Sequence, residues 1–302
     1  MTDAYVRTTT AMGTVVTAHV VGPSRGAADR ESSAMRALDW FDRVERTCSR
    51  FDPESELTRL TRHPGDAIHA SDILFETVRF AVAVAEESGG AFDPTVGRAL
   101  ADAGFDRDHR TGRAIVPRSV DDTGDYRDIH LDEHEKTIML DKPVSLDLGG
   151  VAKGFAVDIA ARDLRTSGFE NFVIDAGGDL YVAGNNASDE PWSIGIRHPR
   201  AENEIIETLR LSDAGICTSG DYERHAPNPD GGVAHHLIDP RTHRSAGELA
   251  SVTVVAPGAM IADALSTAVF VLGRIEGIAF LRRQQVDGFV YTTSLERFST
   301  DQ

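Results

Sequence analysis

The 302-residue sequence is 41% hydrophobic and 26% charged, a globular composition with room for one large or two small domains. Its 31 basic and 48 acidic residues give a net charge of −17, which argues against a protein that binds nucleic acid or anionic membranes electrostatically. Only Lys136, Lys142 and Lys153 are lysines. An acidic, lysine-poor surface suits a high-salt cytosol, although a GC-rich genome also favours arginine.

The cysteines and the chain start exclude further classes. Cys48 and Cys217 have neither the spacing of a metal site nor the density of a disulfide framework, and we expect both to be small, partly buried residues. No long apolar run is present, and residues 1–10 lack a charged segment followed by an apolar stretch. We therefore expect a soluble, cytoplasmic protein without membrane insertion.

The first half of the chain is predicted to be mainly helical. Val and Thr predict a strand, and apolar residues at helical spacing predict helices that begin at polar caps and end at glycines. In chain order these elements are a strand at 14–21, a helix at 24–47, a short helix after Pro53, a helix from Ser71 to Gly89, a polar surface excursion at 102–125, and a hairpin at 126–131 and 137–140.

Two short loops have the composition of binding loops. Residues 91–97 combine an aromatic residue, an acid, a proline and a glycine, which favours a rigid loop of the kind that carries binding groups. Residues 11–13 precede the first predicted strand and can hold Met12 against a ligand, although a methionine is more often a core residue.

The segment around residues 147–158 predicts a ligand-facing turn. Residues 144–148 form an apolar run that we interpret as a strand ending near Asp147, and two glycines follow. Apolar residues then recur at helical spacing through Leu164, and Gly168 ends the helix. The sequence fits neither the G-x-G-x-x-G dinucleotide turn nor the Walker A spacing. A structural strand-to-helix connection is the alternative, but a rare lysine, Lys153, favours function.

The second half of the chain is predicted to be rich in strands. Strands are expected at 172–174, 180–182, 192–196, 205–211, 215–218, 234–238, 251–255 and 288–292, with helices at 260–272, ended by Gly273, and at 275–283. Because the strands follow one another as hairpins rather than alternating with helices, we predict an α+β fold with largely antiparallel sheets.

Asp263 and Thr267 form a candidate metal site. At positions i and i+4 they lie on one helix face, so a carboxylate and a hydroxyl point in the same direction. Oxygen ligands suit Mg²⁺, which commonly takes one or two carboxylates and completes its shell with water, phosphate or carbonyl oxygen. The alternative is a chance pair, since such spacing occurs in many helices.

His236 is a candidate general base. It lies towards the end of the predicted strand at 234–238, where an imidazole could face a pocket. The alternative is a histidine satisfied by backbone partners. His235 should point to the opposite face of the strand and is the poorer candidate.

Together these motifs resemble the FAD:protein FMN transferase (ApbE-like) family over roughly residues 10–293, and we treat residues 1–302 as one domain. The resemblance rests on an ordered series of short motifs. They are M-G-T at 12–14, S-R-F at 49–51, S-E-L at 55–57, G-A-F-D-P-T-V-G at 90–97, D-L-G-G-V-A-K-G at 147–154, G-G-D-L at 177–180, T-S-G-D-Y-E at 218–223, H-L-I-D-P-R-T at 236–242 and A-D-A-L-S-T-A at 262–268.

The resemblance implies duplicated T-fold-like units with helices packed on antiparallel sheets. It further implies Mg²⁺-dependent cleavage of FAD, phosphoester attachment of FMN to a Thr or Ser of an acceptor flavoprotein, and release of AMP. The implied FAD contacts are Met12, Phe51, Ala91, Phe92, Asp93, Asp147, Lys153 and Leu237. The implied metal ligands are Asp263, Thr267 and the carbonyl oxygen of Gly150, and His236 is the implied base.

Two departures and two competing functions accompany the resemblance. Many relatives carry a tyrosine where Phe51 stands, and bacterial members commonly carry an export or lipoprotein signal that residues 1–10 do not resemble. A hydrolase could use the same site to split FAD into FMN and AMP. A non-catalytic flavin-binding or storage protein is the other alternative, which the presence of His236, Asp263 and Thr267 disfavours.

Overall fold

The computed structural model describes residues 4–22, 27–108, 112, 114, 124–227 and 233–301. Through the first half of the chain the elements are β1 (Ala4–Ala11), β2 (Thr14–Val21), α1 (Ala27–Cys48), α2 (Glu56–Thr61), β3 (Ile68–His69), α3 (Asp72–Glu87), α4 (Gly97–Asp102), β4 (Ile129–Asp132), β5 (Thr137–Leu140) and α5 (Ala152–Thr166). The remaining elements are β6 (Asn171–Ala176), β7 (Asp179–Ala183), β8 (Trp192–Arg197), β9 (Ile205–Leu211), β10 (Ala214–Gly220), β11 (His225–Pro227), β12 (Val233–His235), β13 (Ile238–Asp239), β14 (Arg244–Ser245), β15 (Leu249–Ala256), α6 (Ala259–Gln284), β16 (Asp287–Thr292) and β17 (Arg297–Ser299).

An eight-stranded sheet in the order β1-β2-β6-β7-β10-β15-β16-β17 organises the fold. Every neighbouring pair in it is antiparallel. Smaller sheets pair β3, β5 and β4, and join β8 to β9, β11 to β12 and β13 to β14. The predicted α+β class with largely antiparallel sheets is confirmed.

Three helices cover one face of the large sheet. α1 packs on β1 and β2, α5 on β6 and β7, and α6 on β10, β15 and β16. The period-2 pattern of β2 explains this packing, because its alternate residues Val16, Ala18 and Val20 are fully buried in the helix-covered core.

The opposite face of the large sheet is only partly covered. The β8–β9 hairpin packs there through Trp192, whose indole Nε1 donates to the carbonyl oxygen of Ala183 at 2.9 Å. Val6 and Val15 lie on the β1–β2 hairpin and are 57% and 59% exposed. Within the described part of the chain, β1 is one edge of the sheet.

Close contact between α5 and α6 positions the site. A Cβ atom on Gly154 would lie 2.5 Å from the Cα of Met260, so only glycine permits this approach. The carboxylate of Asp158 accepts the backbone N–H groups of Ala259 at 2.7 Å and Met260 at 3.0 Å. It thereby caps α6, whose own N-cap, Gly258, has no side chain to do so. The two helix starts are therefore held side by side.

Removing this cap should weaken the fold. We expect Asp158→Ala to lower the free energy of unfolding by about 1–2 kcal/mol, the usual cost of losing a helix cap. Asp158→Asn should cost less, because an amide oxygen still accepts from a backbone N–H. Urea unfolding followed by circular dichroism would test both, and equal stability of wild type and Asp158→Ala would contradict the assigned cap.

The structure corrects two predictions in the first half of the chain and adds a strand that was not predicted. Residues 144–148 do not form a strand, because they pair instead with the 91–97 loop through an isolated bridge between Ser145 and Val96. Residues 126–128 form a 3₁₀ turn capped by Asp125, so the predicted hairpin begins only at β4. β1 was not predicted. Of the predicted helix at 24–47, residues 24–26 lie outside the described residues, as do residues 109–111, 113 and 115–123 of the predicted excursion.

The helix predictions near the C-terminal end are confirmed in substance. α6 contains a kink at Gly273, where φ is 78° and ψ is −178°, which divides it as the two predicted helices require. α6 is long and apolar enough to cross a membrane, but 67% of its most apolar window is buried inside the protein. This burial identifies α6 as a core helix.

The acidic composition predicts a response to salt. With 48 acidic and 31 basic residues, the folded chain carries a self-repulsion that added ions screen. We expect the melting temperature to rise with KCl into the molar range. Differential scanning fluorimetry across a KCl series would test this, and a maximum in dilute buffer would count against adaptation to high salt.

Candidate active site

One cavity of about 610 Å³ brings the predicted site residues together. Its volume is in the range of small-molecule and cofactor pockets. The predicted residues that line it are Met12, Phe51, Ala91, Phe92, Asp93, Asp147, Gly150, Lys153, His236, Leu237, Asp263 and Thr267. Segments distant in sequence thus converge on one space, as the sequence analysis requires.

Met12 lines the cavity and lies in a turn with positive φ angles. It and Gly13 form the two-residue connection between β1 and β2, with φ of 50° and 77°. Two positive φ values match the type I′ hairpin turn, in which asparagine or glycine is usual and methionine is not. The backbone N–H of Met12 donates to Oε2 of Glu45 at 3.1 Å, which helps to hold this conformation.

Asp93 fixes the 91–97 loop. Its Oδ1 accepts the backbone N–H of Thr95 at 2.8 Å and the Thr95 hydroxyl at 2.7 Å, and its Oδ2 accepts the backbone N–H of Tyr126 at 3.4 Å. Burial raises the pKa of this carboxyl group, although the hydrogen bonds from Thr95 act in the opposite direction. Both carboxylate oxygens therefore support the loop that presents Ala91 and Phe92.

Asp147 links two walls of the cavity. Its Oδ2 lies 2.5 Å from Nε of Arg50, and its Oδ1 accepts the backbone N–H of Gly149 at 2.8 Å. The guanidinium of Arg50 lies 4.4 Å from the centroid of the Phe51 ring. The ion pair thus joins the glycine turn to Phe51 and fixes the position of both.

The predicted metal ligands are adjacent in space. A Cβ atom on Gly150 would lie 3.3 Å from the Thr267 hydroxyl and 3.0 Å from the Phe92 ring. The backbone of Gly150 therefore packs against the Thr267 side chain of α6. The buried Asp263 accepts the Gly154 backbone N–H on Oδ2 at 3.1 Å, while Oδ1 lies 3.9 Å from the Cys217 sulfur. Burial raises the pKa of Asp263, and the Lys153 charge opposes this shift. A carboxylate, a hydroxyl and a backbone carbonyl oxygen in one cavity wall fit the donor preference of Mg²⁺.

Lys153 is paired with an acid that the sequence analysis did not assign to the site. Its ammonium group forms an ion pair with Asp179, which is 2% exposed. Oδ1 of Asp179 accepts from the Cys217 thiol at 2.5 Å. Cys217 is fully buried rather than partly buried as expected, and burial raises the pKa of its thiol to about 12.

His236 lies between β12 and β13, so the predicted continuous strand at 234–238 is wrong. Its Nδ1 is buried without a hydrogen-bond partner among the described residues. Burial, with smaller effects from the charges of Arg224 and Lys153, lowers the pKa of His236 from 6.5 to about 3. The imidazole is therefore neutral near pH 7 and can accept a proton.

His235 faces away from the cavity, as expected. Its ring packs edge-on against Phe270 with the centroids 5.6 Å apart, and its Nε2 lies 2.7 Å from the carbonyl oxygen of Ala246.

Burial of a neutral His236 should make folding stability depend on pH. The unfolded chain binds a proton at this residue below about pH 6.5, whereas the folded chain does so only near pH 3. Stability should therefore fall as pH decreases through this window, by up to about 1.4 kcal/mol per pH unit from this residue. Urea unfolding at several pH values should show a shallower dependence in His236→Ala, because the other histidines and the carboxyl groups titrate in both proteins. Identical slopes would contradict the buried neutral state.

Comparison with known proteins gives the family. Residues 12–290 match the family model described as the ApbE family. The chain belongs to the ApbE family. It is 31% identical over 269 residues to the FAD:protein FMN transferase of Vibrio cholerae, covering 86% of this chain and 79% of that protein. It is 30% identical over 299 residues to the Salmonella typhimurium protein of the same name, covering 96% and 84%.

Solved structures of the ApbE family share the fold. The crystal structure of the ApbE protein from Thermotoga maritima superposes with a TM-score of 0.87 at 31% identity, covering 98% of this chain and 96% of that one. The flavin transferase ApbE from Vibrio cholerae superposes with a TM-score of 0.84 at 27% identity, covering 99% and 97%.

In this ApbE-family chain, sequence reasoning missed Asp179, Cys217 and Arg224 as parts of the cavity wall. Two signals were present for Asp179. It directly follows the glycine pair at 177–178, and a partly buried lysine needs a counter-ion. No comparable signal existed for Cys217. Its place in the cavity depends on β10 pairing with β7, which puts it opposite Asp179.

Proposed function

We propose that the protein is an Mg²⁺-dependent FAD:protein FMN transferase. In this reaction the pyrophosphate of FAD is cleaved, FMN is attached through a phosphoester bond to a Thr or Ser of an acceptor flavoprotein, and AMP is released. The observation that carries the proposal is the convergence of Lys153, His236, Asp263 and Thr267 on one cavity of about 610 Å³. The names of the relatives support it. A cytoplasmic location remains a prediction of the sequence.

The inner end of the cavity is the proposed site of the pyrophosphate. Asp263, Thr267 and the carbonyl oxygen of Gly150 would hold Mg²⁺, which when bound neutralises charge on the phosphoryl oxygens. Lys153 supplies a second positive charge in the same wall. Its pairing with Asp179 holds the ammonium group in place and limits its cost of burial.

The flavin ring is proposed to lie against Met12 and Phe51. A thioether and an aromatic face suit a flat conjugated ring. Arg50 covers one face of Phe51, which leaves the other face for the isoalloxazine. Ala91, Phe92 and Leu237 add apolar contact area. We retain Asp93 and Asp147 as FAD contacts, with a second role of fixing their loops.

His236 is proposed to take the proton of the acceptor hydroxyl. A hydroxyl is a weak nucleophile, and a positioned base raises its reactivity at the phosphorus atom. The positive charges of Arg224 and Lys153 contribute to the low pKa of His236 in the free protein. An anionic pyrophosphate in the cavity would offset both charges and raise this pKa, so the base becomes stronger when the substrate is bound.

The test is incubation of the purified protein with FAD, Mg²⁺ and protein fractions of the source organism as acceptors. Flavin fluorescence of a protein band on a denaturing gel, with AMP formed in equal amount, would support the transferase. AMP and free FMN without a fluorescent band would identify an FAD pyrophosphatase instead. FAD binding without either product would identify a flavin-binding protein.

A further inference from the structure

A group of three potential metal ligands lies deep in the cavity wall. The Cys217 thiol and one carboxylate oxygen from each of Asp179 and Asp263 all lie within 4.8 Å of one another, and all three residues are buried. The sulfur atom is 2.5 Å from Oδ1 of Asp179 and 3.9 Å from Oδ1 of Asp263. The sulfur therefore lies within reach of both carboxylates.

Positive charge already faces this group. The ammonium group of Lys153 pairs with Asp179, and the charges of Lys153 and Arg224 both act to lower the pKa of Asp263. A thiol has a single proton to donate, and here it is directed to Asp179. If the thiol loses this proton as a divalent cation enters, two carboxylates and one thiolate face the cation. Three anionic donors of this kind offset the cost of burying a divalent charge.

A second observation indicates that the cavity accommodates a ligand. Nδ1 of His236 is buried in the same cavity wall and has no hydrogen-bond partner among the described residues. Buried nitrogen atoms are nearly always paired in proteins, so an unpaired one in a cavity wall is available to a bound ligand.

The donor types decide which cation fits. Sulfur favours Zn²⁺ and Co²⁺ over Mg²⁺, which takes oxygen ligands. Zinc binds cysteine sulfur at about 2.3 Å and carboxylate oxygen at about 2.0–2.2 Å, so its ligand atoms lie roughly 3.5 Å apart. The observed sulfur-to-Asp263 distance of 3.9 Å is close to that spacing. The sulfur-to-Asp179 distance of 2.5 Å is that of a hydrogen bond, and it must lengthen by about 1 Å when a cation replaces the proton.

We infer that Asp179, Cys217 and Asp263 form a binding site for a thiophilic divalent cation such as Zn²⁺. Binding releases the thiol proton to solvent and draws Asp179 away from Lys153. Because Asp263 is also a proposed ligand of Mg²⁺, the two cations compete, and the sulfur site is a means by which zinc would inhibit the enzyme. The inference concerns cation binding and holds whether or not FMN is transferred.

Titration of the metal-free protein with Co²⁺ tests the site, because cobalt reports its ligands by absorption. Thiolate coordination gives an intense near-ultraviolet charge-transfer band that oxygen ligands do not give. We expect this band in wild type and its loss in Cys217→Ser. Asp179→Asn should weaken Co²⁺ binding by about tenfold or more, the scale at which even supporting residues affect metal affinity.

The chain contains its own control. Cys48 is also buried and lines the cavity, but its sulfur contacts the Thr77 hydroxyl at 3.6 Å and is not part of the metal-ligand group. Cys48→Ser should therefore keep the band. Thr267→Val should also keep it, because this hydroxyl belongs to the oxygen ligands proposed for Mg²⁺.

Three results would overturn the inference. They are Co²⁺ binding without a charge-transfer band, a band that survives Cys217→Ser, and a band lost equally in Cys48→Ser. Thermal melting distinguishes loss of the cation site from misfolding of the variant. Zn²⁺ should raise the melting temperature of wild type and of Cys48→Ser, but not that of a Cys217→Ser protein with a native circular dichroism spectrum. An equal increase in all three proteins would place zinc at other ligands.

Discussion

Replacing Asp263 with asparagine should abolish Mg²⁺-dependent release of AMP from FAD, with a fall in turnover of about a thousandfold or more. Asp263 is the only carboxylate among the proposed Mg²⁺ ligands, and the amide that replaces it is a much weaker ligand. The fold should survive, because an amide oxygen can still accept the Gly154 N–H that now binds Oδ2 at 3.1 Å. AMP can be measured chromatographically over a range of Mg²⁺ concentrations.

Asp158→Asn is the matched control for this experiment. Asp158 is a buried acid on the neighbouring helix that also accepts backbone N–H groups, but it does not line the cavity. It should retain near wild-type turnover. If Asp263→Asn kept turnover at ordinary Mg²⁺ concentrations, or if both variants lost it equally, the assignment of Asp263 to the metal would be wrong.

Replacing His236 with alanine should leave FAD binding intact and reduce flavinylation of the acceptor by roughly two or more orders of magnitude. In the proposed mechanism, FAD binding depends mainly on Lys153, the metal and the flavin contacts, whereas transfer needs a base beside the acceptor hydroxyl. Quenching of flavin fluorescence would report binding, and in-gel fluorescence over time would report transfer.

The neighbouring histidine provides the control for His236. His235→Gln should transfer FMN at nearly the wild-type rate, because His235 packs against Phe270 outside the cavity. A His236→Ala protein that binds no FAD would show that His236 is a ligand contact or a structural residue. Unchanged flavinylation would direct attention to Asp239 or to solvent as the route for the proton.

Local patterns predicted the elements of this fold better than their pairing. Helix caps such as Ser71, the apolar alternation of β2 and the stop at Gly168 depend on residues close in sequence, and the structure agrees with each. The predicted strand at 144–148 failed for the opposite reason. Its apolar residues suit a strand, but its backbone forms hydrogen bonds with Pro94 and Gly97 of another loop.

The residues of the candidate site could be grouped from the sequence, but the contacts among them could not. In the structure these residues line one cavity, and their roles stay a prediction. The motif series did not show that Asp179 pairs with Lys153, nor that Cys217 approaches both buried acids, because these contacts depend on the register of β7 with β10. Register is fixed by tertiary packing, which a single sequence does not display.

The edge position of β1 has a consequence for how this protein behaves in concentrated solution. Its eight residues pair with β2 in unbroken register and contain one charged side chain, Arg7, and no proline. Such an edge can template strand pairing between molecules, and natural proteins usually blunt it with lysine, proline or a bulge. Here copies that each carry a charge of −17 repel one another, which opposes such pairing. In molar salt the Debye length shrinks to about 3 Å. The same ions that stabilise each molecule therefore screen the repulsion that opposes self-association.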